Sequence, residues 1–171
     1  MAPAAPKLYN SAMPTNPYAR YLEGRDPLTL VRQAPATLEA LAGKIGDAGM
    51  ARSYGPGKWT AAEILCHLAD VEIAFGMRLR QAVSQDHHVI QPFEQDDWAR
   101  PYPQMDWKTA LAALLALRRW NMAFLATVPE SEYAKPVTHP ERGTMTFREL
   151  LETMAGHDLN HRAQLEIIAA G

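Results

Sequence analysis

Apolar residues recur at helical intervals over four long stretches of this chain, and segments rich in proline, glycine and polar residues separate them. The first stretch opens with Asp26-Pro27, an N-cap followed by proline at the first helical position. Leu28, Val31, Leu38, Leu41, Ala42 and Ile45 mark its apolar stripe, and Pro35 within it predicts a kink or a split. Gly46, Gly49, Gly55, Pro56 and Gly57 then break the pattern. The second stretch begins with the capping box Thr60-Ala61-Ala62-Glu63, after which Ile64, Leu68, Val71, Phe75 and Leu79 give a buried face.

Residues 85–105 carry Pro92, Pro101, Pro103 and the acidic pair Asp96-Asp97. A structureless connection of that length is uncommon inside a compact domain, so the segment predicts a short helical turn around Phe93–Trp98 or a lid. Asp106 caps a third helix with Trp107, Leu111, Leu114, Leu117, Phe124 and Leu125 on its stripe. A second connection, 128–145, contains Pro129, Pro136, Pro140 and Gly143. Thr146-Phe147-Arg148-Glu149 is another capping box, and the helix it opens runs to about Ala169 with Phe147, Leu150, Met154, Leu165 and Ile168 inward.

Four such helices, without a convincing strand run, predict an all-α fold: an antiparallel four-helix bundle with long inter-helix connections. Those connections leave simple up-down-up-down order open. Residues 1–25, with Pro3, Pro6, Pro14 and Pro17 and no periodicity, read as an N-terminal extended arm, with Tyr18 and Tyr21 as its docking points. Residues 26–171 read as a single domain.

Composition narrows the function classes. Hydrophobic residues at 47% and charged residues at 21% are ordinary for a soluble globular chain. Seventeen basic against 19 acidic residues argue against electrostatic nucleic-acid binding. No run approaches the roughly 18 apolar residues of a membrane span. The N-terminus lacks the basic-then-apolar order of a secretory leader. Cys66 is the one cysteine, so no internal disulfide is possible. The expectation is a cytoplasmic protein with neither a nucleic-acid nor a membrane partner.

The candidate chemistry lies on the helices. His157 and His161, four residues apart, fall on the apolar stripe of the last helix, where Leu or Ile would be usual. His67 falls on the stripe of the second helix, between Ile64 and Val71. A single inward histidine is more often a hydrogen-bonded core residue than a ligand. A pair at i, i+4 joined by a third from another helix matches three ligands of one metal, with a fourth position left for water or substrate. Asp158 replaces the glutamate of the zinc-protease pattern and reads as a solvated residue or one that orients a ligand. Glu63 is accounted for by its capping box. Cys66 points away from His67 and reads as packing. His87, His88 and His139 read as loop surface residues. Trp98, Tyr102 and Trp107 read as packing or as pocket lining.

Trp59-Thr60, Glu63-Ile64-Leu65-Cys66-His67-Leu68-Ala69-Asp70, Gly143-Thr144-Met145-Thr146 and His157-Asp158-Leu159-Asn160-His161-Arg162-Ala163-Gln164 together resemble the DinB/YfiT-like superfamily, over roughly residues 26–168. The resemblance implies a four-helix bundle with a divalent metal, zinc or nickel foremost, held at His67, His157 and His161. It further implies a putative metal-dependent hydrolase or a thiol transferase using a low-molecular-weight thiol, a small-molecule substrate, and a homodimer. No thiol-binding residue carries over. Two functions stand: a metal-dependent enzyme, or a metal- or small-molecule-binding stress-response module without turnover.

Overall fold

The computed structural model describes residues 15–171, so the part of the arm holding Pro3, Pro6 and Pro14 lies outside the described residues. Four long helices dominate: α2 (Pro27–Gly49), α3 (Ala61–Ser84), α5 (Trp107–Leu125) and α6 (Phe147–Ala170). Two short ones, α1 (Ala19–Leu22) and α4 (Gln95–Ala99), lie in the arm and in the 85–105 connection. The fold is an all-α four-helix bundle with a small sheet attached. α2 packs mainly on α6 and α3 mainly on α5, while α2 and α3, neighbours in sequence, touch little. The bundle therefore does not simply lay each helix beside its predecessor.

Helix starts follow local chemistry. The Asp26 carboxylate accepts from Thr29 N, and that of Asp106 from Lys108 N and Thr109 N. Thr60 and Thr146 each form a complete capping box, with Glu63 and Glu149 respectively. Pro35 does not split α2. The residue inside α2 with non-helical dihedrals is Gly46, at φ 61° and ψ 169°, a conformation glycine adopts without a Cβ penalty.

A three-stranded sheet corrects the expectation of no strands. β2 (Pro136–His139) and β3 (Gly143–Thr146) pair antiparallel, from Pro136 opposite Thr146 to His139 opposite Gly143. β1 (His88–Val89) joins β2 in parallel, His88 beside Val137. The two long connections are thereby tied into one structure. Val137 and Met145 bury their side chains beneath the sheet while Thr138 and Thr144 face outward, the period-two pattern of a half-buried strand. Strands this short, bracketed by Pro136 and Pro140, leave too little alternation to register in the sequence.

Among the described residues the core forms two apolar clusters, one around Phe75, Leu79, Phe147 and Leu150 and the other around Leu38, Ile64, Leu114 and Leu165. The candidate histidines touch both, His157 through Phe75 and His67 through Trp59, which packs on the second cluster. Among the described residues no helix is long and apolar enough to cross a membrane.

Candidate metal centre

α3 and α6 carry the three histidines into the bundle interior. His67, His157 and His161 are each 5% exposed or less, so none is hydrated in the ordinary way. One ring nitrogen from each lies within 4.8 Å of the others. His67 Nε2 and His157 Nε2 are 3.0 Å apart, and the ring centroids of His157 and His161 are 4.4 Å apart. The spacing read from the sequence thus brings its three site residues together.

Electrostatics keep the cluster uncharged. Burial pushes the His67 imidazolium down to about 3, helped by His161 beside it. Burial likewise takes His161 down to about 4, against the opposing effects of Gln164 and Asp158. His157 is held well below its usual range by burial first and by its two neighbours second. Neutral imidazole is the metal-binding form.

The hydrogen bonds fit a metal ion. His161 Nδ1 donates to Gln164 Oε1 at 2.8 Å, which leaves the Nε2 lone pair available. The Nε2 atoms of His67 and His157 face each other at 3.0 Å, and an ion shared by the rings gives both lone pairs a partner. Among the described residues the Nδ1 atoms of these two rings are buried without a hydrogen-bond partner, and a ring that binds an ion through Nε2 carries its proton there.

The surroundings differ from expectation in several places. Asp158 does not face solvent: it is buried, and Arg118 Nη1 donates to its Oδ2 at 2.7 Å. Arg118 also donates from Nε and Nη2 to Glu72 Oε2 at 2.9 and 2.7 Å, and from Nη1 to Val31 O at 2.9 Å. Asn121 Nδ2 donates to the other Glu72 oxygen at 2.8 Å. This network joins α2, α3, α5 and α6 directly beside His157.

Trp59 covers the other side of the cluster, with its ring 4.7 Å from that of His67 and stacked on His161. Tyr102 packs edge-on against Trp59 and donates its hydroxyl to Asp70 at 2.8 Å, so it stands behind the site. Trp98 stacks on Phe93 and does not line the pocket at the cluster. Trp107 is half-buried and lines a separate hollow with Tyr102. Cys66 is a buried packing residue, as its spacing implied.

A pocket of about 130 Å³ opens onto His67 and His157, and several of its residues were not expected there. His139 is 7% exposed and lines it; His88 is equally buried nearby, while His87 does lie at the surface. Tyr18 lines it too, its ring edge-on to His157 at 5.3 Å. Tyr18 and Tyr21 both dock on α6, as expected of the arm, since the Tyr21 hydroxyl donates to Asn160 Oδ1 at 2.7 Å. Gly156 makes the approach possible: a Cβ there would lie 2.6 Å from Tyr18 Cβ and 2.7 Å from Tyr18 O. A glycine inside a helix, one residue before a site histidine, is the sequence signal that could have located Tyr18.

The model of the DinB superfamily matches residues 30–165, a span that contains all three histidines and the capping boxes of both helices that bear them. The chain belongs to the DinB superfamily. A relative from Geobacillus kaustophilus, named "putative metal-dependent hydrolase", is 28% identical over 156 residues, covering 84% of this DinB chain and 82% of its own. The solved structure of Bacillus subtilis YfiT, described as a probable metal-dependent hydrolase with an unusual four-helix bundle topology, superposes with a TM-score of 0.77 at 19% identity. That match covers 98% of this chain and 94% of YfiT. The mycothiol-dependent maleylpyruvate isomerase shares the DinB fold at TM-score 0.68 and 17% identity, over 84% of this chain and 60% of the isomerase.

Proposed function

We propose that this chain is a metal-dependent enzyme of the hydrolase or thiol-transferase type, acting on a small molecule, with one divalent ion held by His67, His157 and His161. The observation that carries this reading is a trio of buried, neutral imidazoles converging at a pocket, with neither carboxylate nor thiolate in the group. Three protein ligands are the number found in catalytic sites, whereas closed structural sites use four. Imidazole donors suit late first-row ions, and zinc or nickel is the expected occupant. Such an ion supplies a Lewis acid and lowers the pKa of water or a thiol brought to it.

The chain's own residues position and exclude. Gln164 fixes the His161 tautomer, Arg118 fixes Asp158 beside His157, and Trp59 keeps water from the far side of the cluster. Burial pushes the Cys66 thiol up to about 11, so this chain offers no thiolate of its own. A low-molecular-weight thiol from solution is therefore the nucleophile in the transferase version. The reading includes a homodimer, and the exposed apolar side chains Ile73, Met77 and Trp98, which share one surface hollow, are the face suited to it.

The test combines metal analysis with turnover. Purified wild type should hold one zinc or nickel per chain, and His67→Ala, His157→Ala and His161→Ala should each lose it. Full occupancy in all three variants defeats the assignment. The metal-loaded protein is then assayed for ester hydrolysis and for addition of small thiols to an electrophile. Metal binding with no turnover in either assay replaces the enzyme by a non-catalytic binding module.

A further inference from the structure

Arg78 lines the same pocket as His67 and lies eleven residues further along the same face of α3, three turns on. Its guanidinium is flanked by the rings of Phe93 and Phe75, at 5.5 and 5.9 Å from their centroids. Among the described residues its hydrogen bonding is one long 3.5 Å contact from Nη2 to Gln91 O. Among the described residues no carboxylate forms an ion pair with it. Burial and the positive charge of Arg142 both work against it, taking its pKa down to about 10.

The rest of the polar lining is also weighted toward donors. Arg142, from the turn between β2 and β3, lines the pocket and bears electrostatically on Arg78, His139 and His157. His139 Nδ1 accepts from Glu141 N at 3.2 Å, so its proton sits on Nε2 and that nitrogen is a donor. Glu141 is the acidic residue of the lining and is exposed. Val71, Ile90 and Met145 supply apolar wall in the same pocket.

We infer that this pocket is built for a carboxylate-bearing small molecule, whose carboxylate is taken by Arg78 with Arg142 and His139 beside it while its carbon skeleton lies against the apolar wall. A half-buried guanidinium with no carboxylate partner is costly to hold, and a second cation nearby raises that cost. A bound carboxylate relieves both, and its planar pair of oxygens matches the guanidinium fork. The inference rests on the reading of the histidine cluster as a reaction centre, for it makes the arginines the other end of the same substrate. It deepens that reading by naming the class of substrate.

Succinate and its neutral diamide, succinamide, are the probes, titrated by calorimetry into full-length protein both metal-loaded and stripped with chelator. Stripping removes direct carboxylate–metal contact, so any preference that remains belongs to the pocket wall. Succinate should bind the stripped protein at least about tenfold more tightly than succinamide, and Arg78→Gln should abolish most of that preference. Arg78→Lys, which keeps the charge and loses the fork, should retain part of it. Equal binding of acid and amide by stripped wild type overturns the inference without recourse to any variant. A succinate preference unchanged in a folded Arg78→Gln protein overturns it as well. Metal content is measured separately: an Arg78-dependent preference in a protein that never holds metal leaves the pocket assignment standing and removes the metal-enzyme reading. Full metal occupancy without a preference does the reverse.

Discussion

Replacing Arg118 by Met should destabilise the protein more than any other single change away from the pocket. Arg118 and Glu72 are each 2% exposed, and the arginine is the shared cation for two buried carboxylates. Met fills most of the vacated volume but leaves Glu72 and Asp158 charged and desolvated. Breaking one buried pair in this way costs about 3–5 kcal/mol. Asn121 still donates to Glu72, which keeps the expected total near that range and not at twice it. Set against roughly 5–15 kcal/mol for a whole domain, this is a large fraction of the stability. For a chain of this size it corresponds to a fall in Tm of about 6–20 °C. Urea unfolding of metal-free wild type and Arg118→Met at neutral pH is the assay.

Removing the charges as well separates the cost of unpaired charge from that of lost packing. The triple variant Glu72→Gln, Arg118→Met, Asp158→Asn should recover most of the loss at neutral pH, because no unpaired charge remains. A loss below about 1 kcal/mol for Arg118→Met, or a triple variant no more stable than Arg118→Met, would refute the reasoning.

Gly156→Ala should lower stability by about 1–3 kcal/mol despite its gain in helix propensity, because the new methyl meets Tyr18 backbone and not a rotatable tip; a raised Tm would show that the arm is not docked as described. Thr146→Ala, and likewise Thr60→Ala, should cost about 0.5–2 kcal/mol, read from denaturant midpoints; unchanged midpoints would contradict the capping boxes. His67, His139 and His161 all have folded pKa values below the unfolded 6.5, at about 3, 4 and 4. The unfolded chain therefore takes up protons first, and the metal-free protein should lose stability as pH falls from about 6.5 toward 4, whereas a flat profile over that window would mean the rings are hydrated. Adding zinc or nickel at a hundred times its Kd should stabilise wild type by about 2.7 kcal/mol and leave His161→Ala unmoved, as followed by thermal unfolding.

The parts legible in the sequence are those whose cause is local. Each long helix starts at a cap whose acceptor and donor lie within three residues, so Asp26, Thr60, Asp106 and Thr146 announce themselves. The histidine cluster is legible for the same reason, since two of its members are one turn apart and the third sits on a clear apolar stripe. Arg118 was hidden because a stripe template rewards apolar residues. It favours Leu117 and Phe124, both half-buried, where the protein buries Arg118 and Asn121. Their compensation by Glu72 comes from 46 and 49 residues away and cannot be seen from α5 alone. His139 was hidden because its burial depends on a sheet whose strands come from separate connections. Arg78 carries no local mark as a pocket residue; the pairing of both connections around it gives it that place.

The β2–β3 turn bears on how such a protein changes over time. Residues 140–142 leave the sheet at His139 and re-enter it at Gly143, and they carry Glu141 and Arg142 to the pocket. The histidines are anchored elsewhere, on α3 and α6, where His67 and His157 face each other and His161 hydrogen-bonds Gln164. Substitution or lengthening of the turn therefore reshapes the pocket rim while the three histidines keep their geometry. Under the proposed function, selection can explore new compounds at the rim without forfeiting reactivity at the floor, so that chains built on this bundle diverge in diet before they diverge in chemistry.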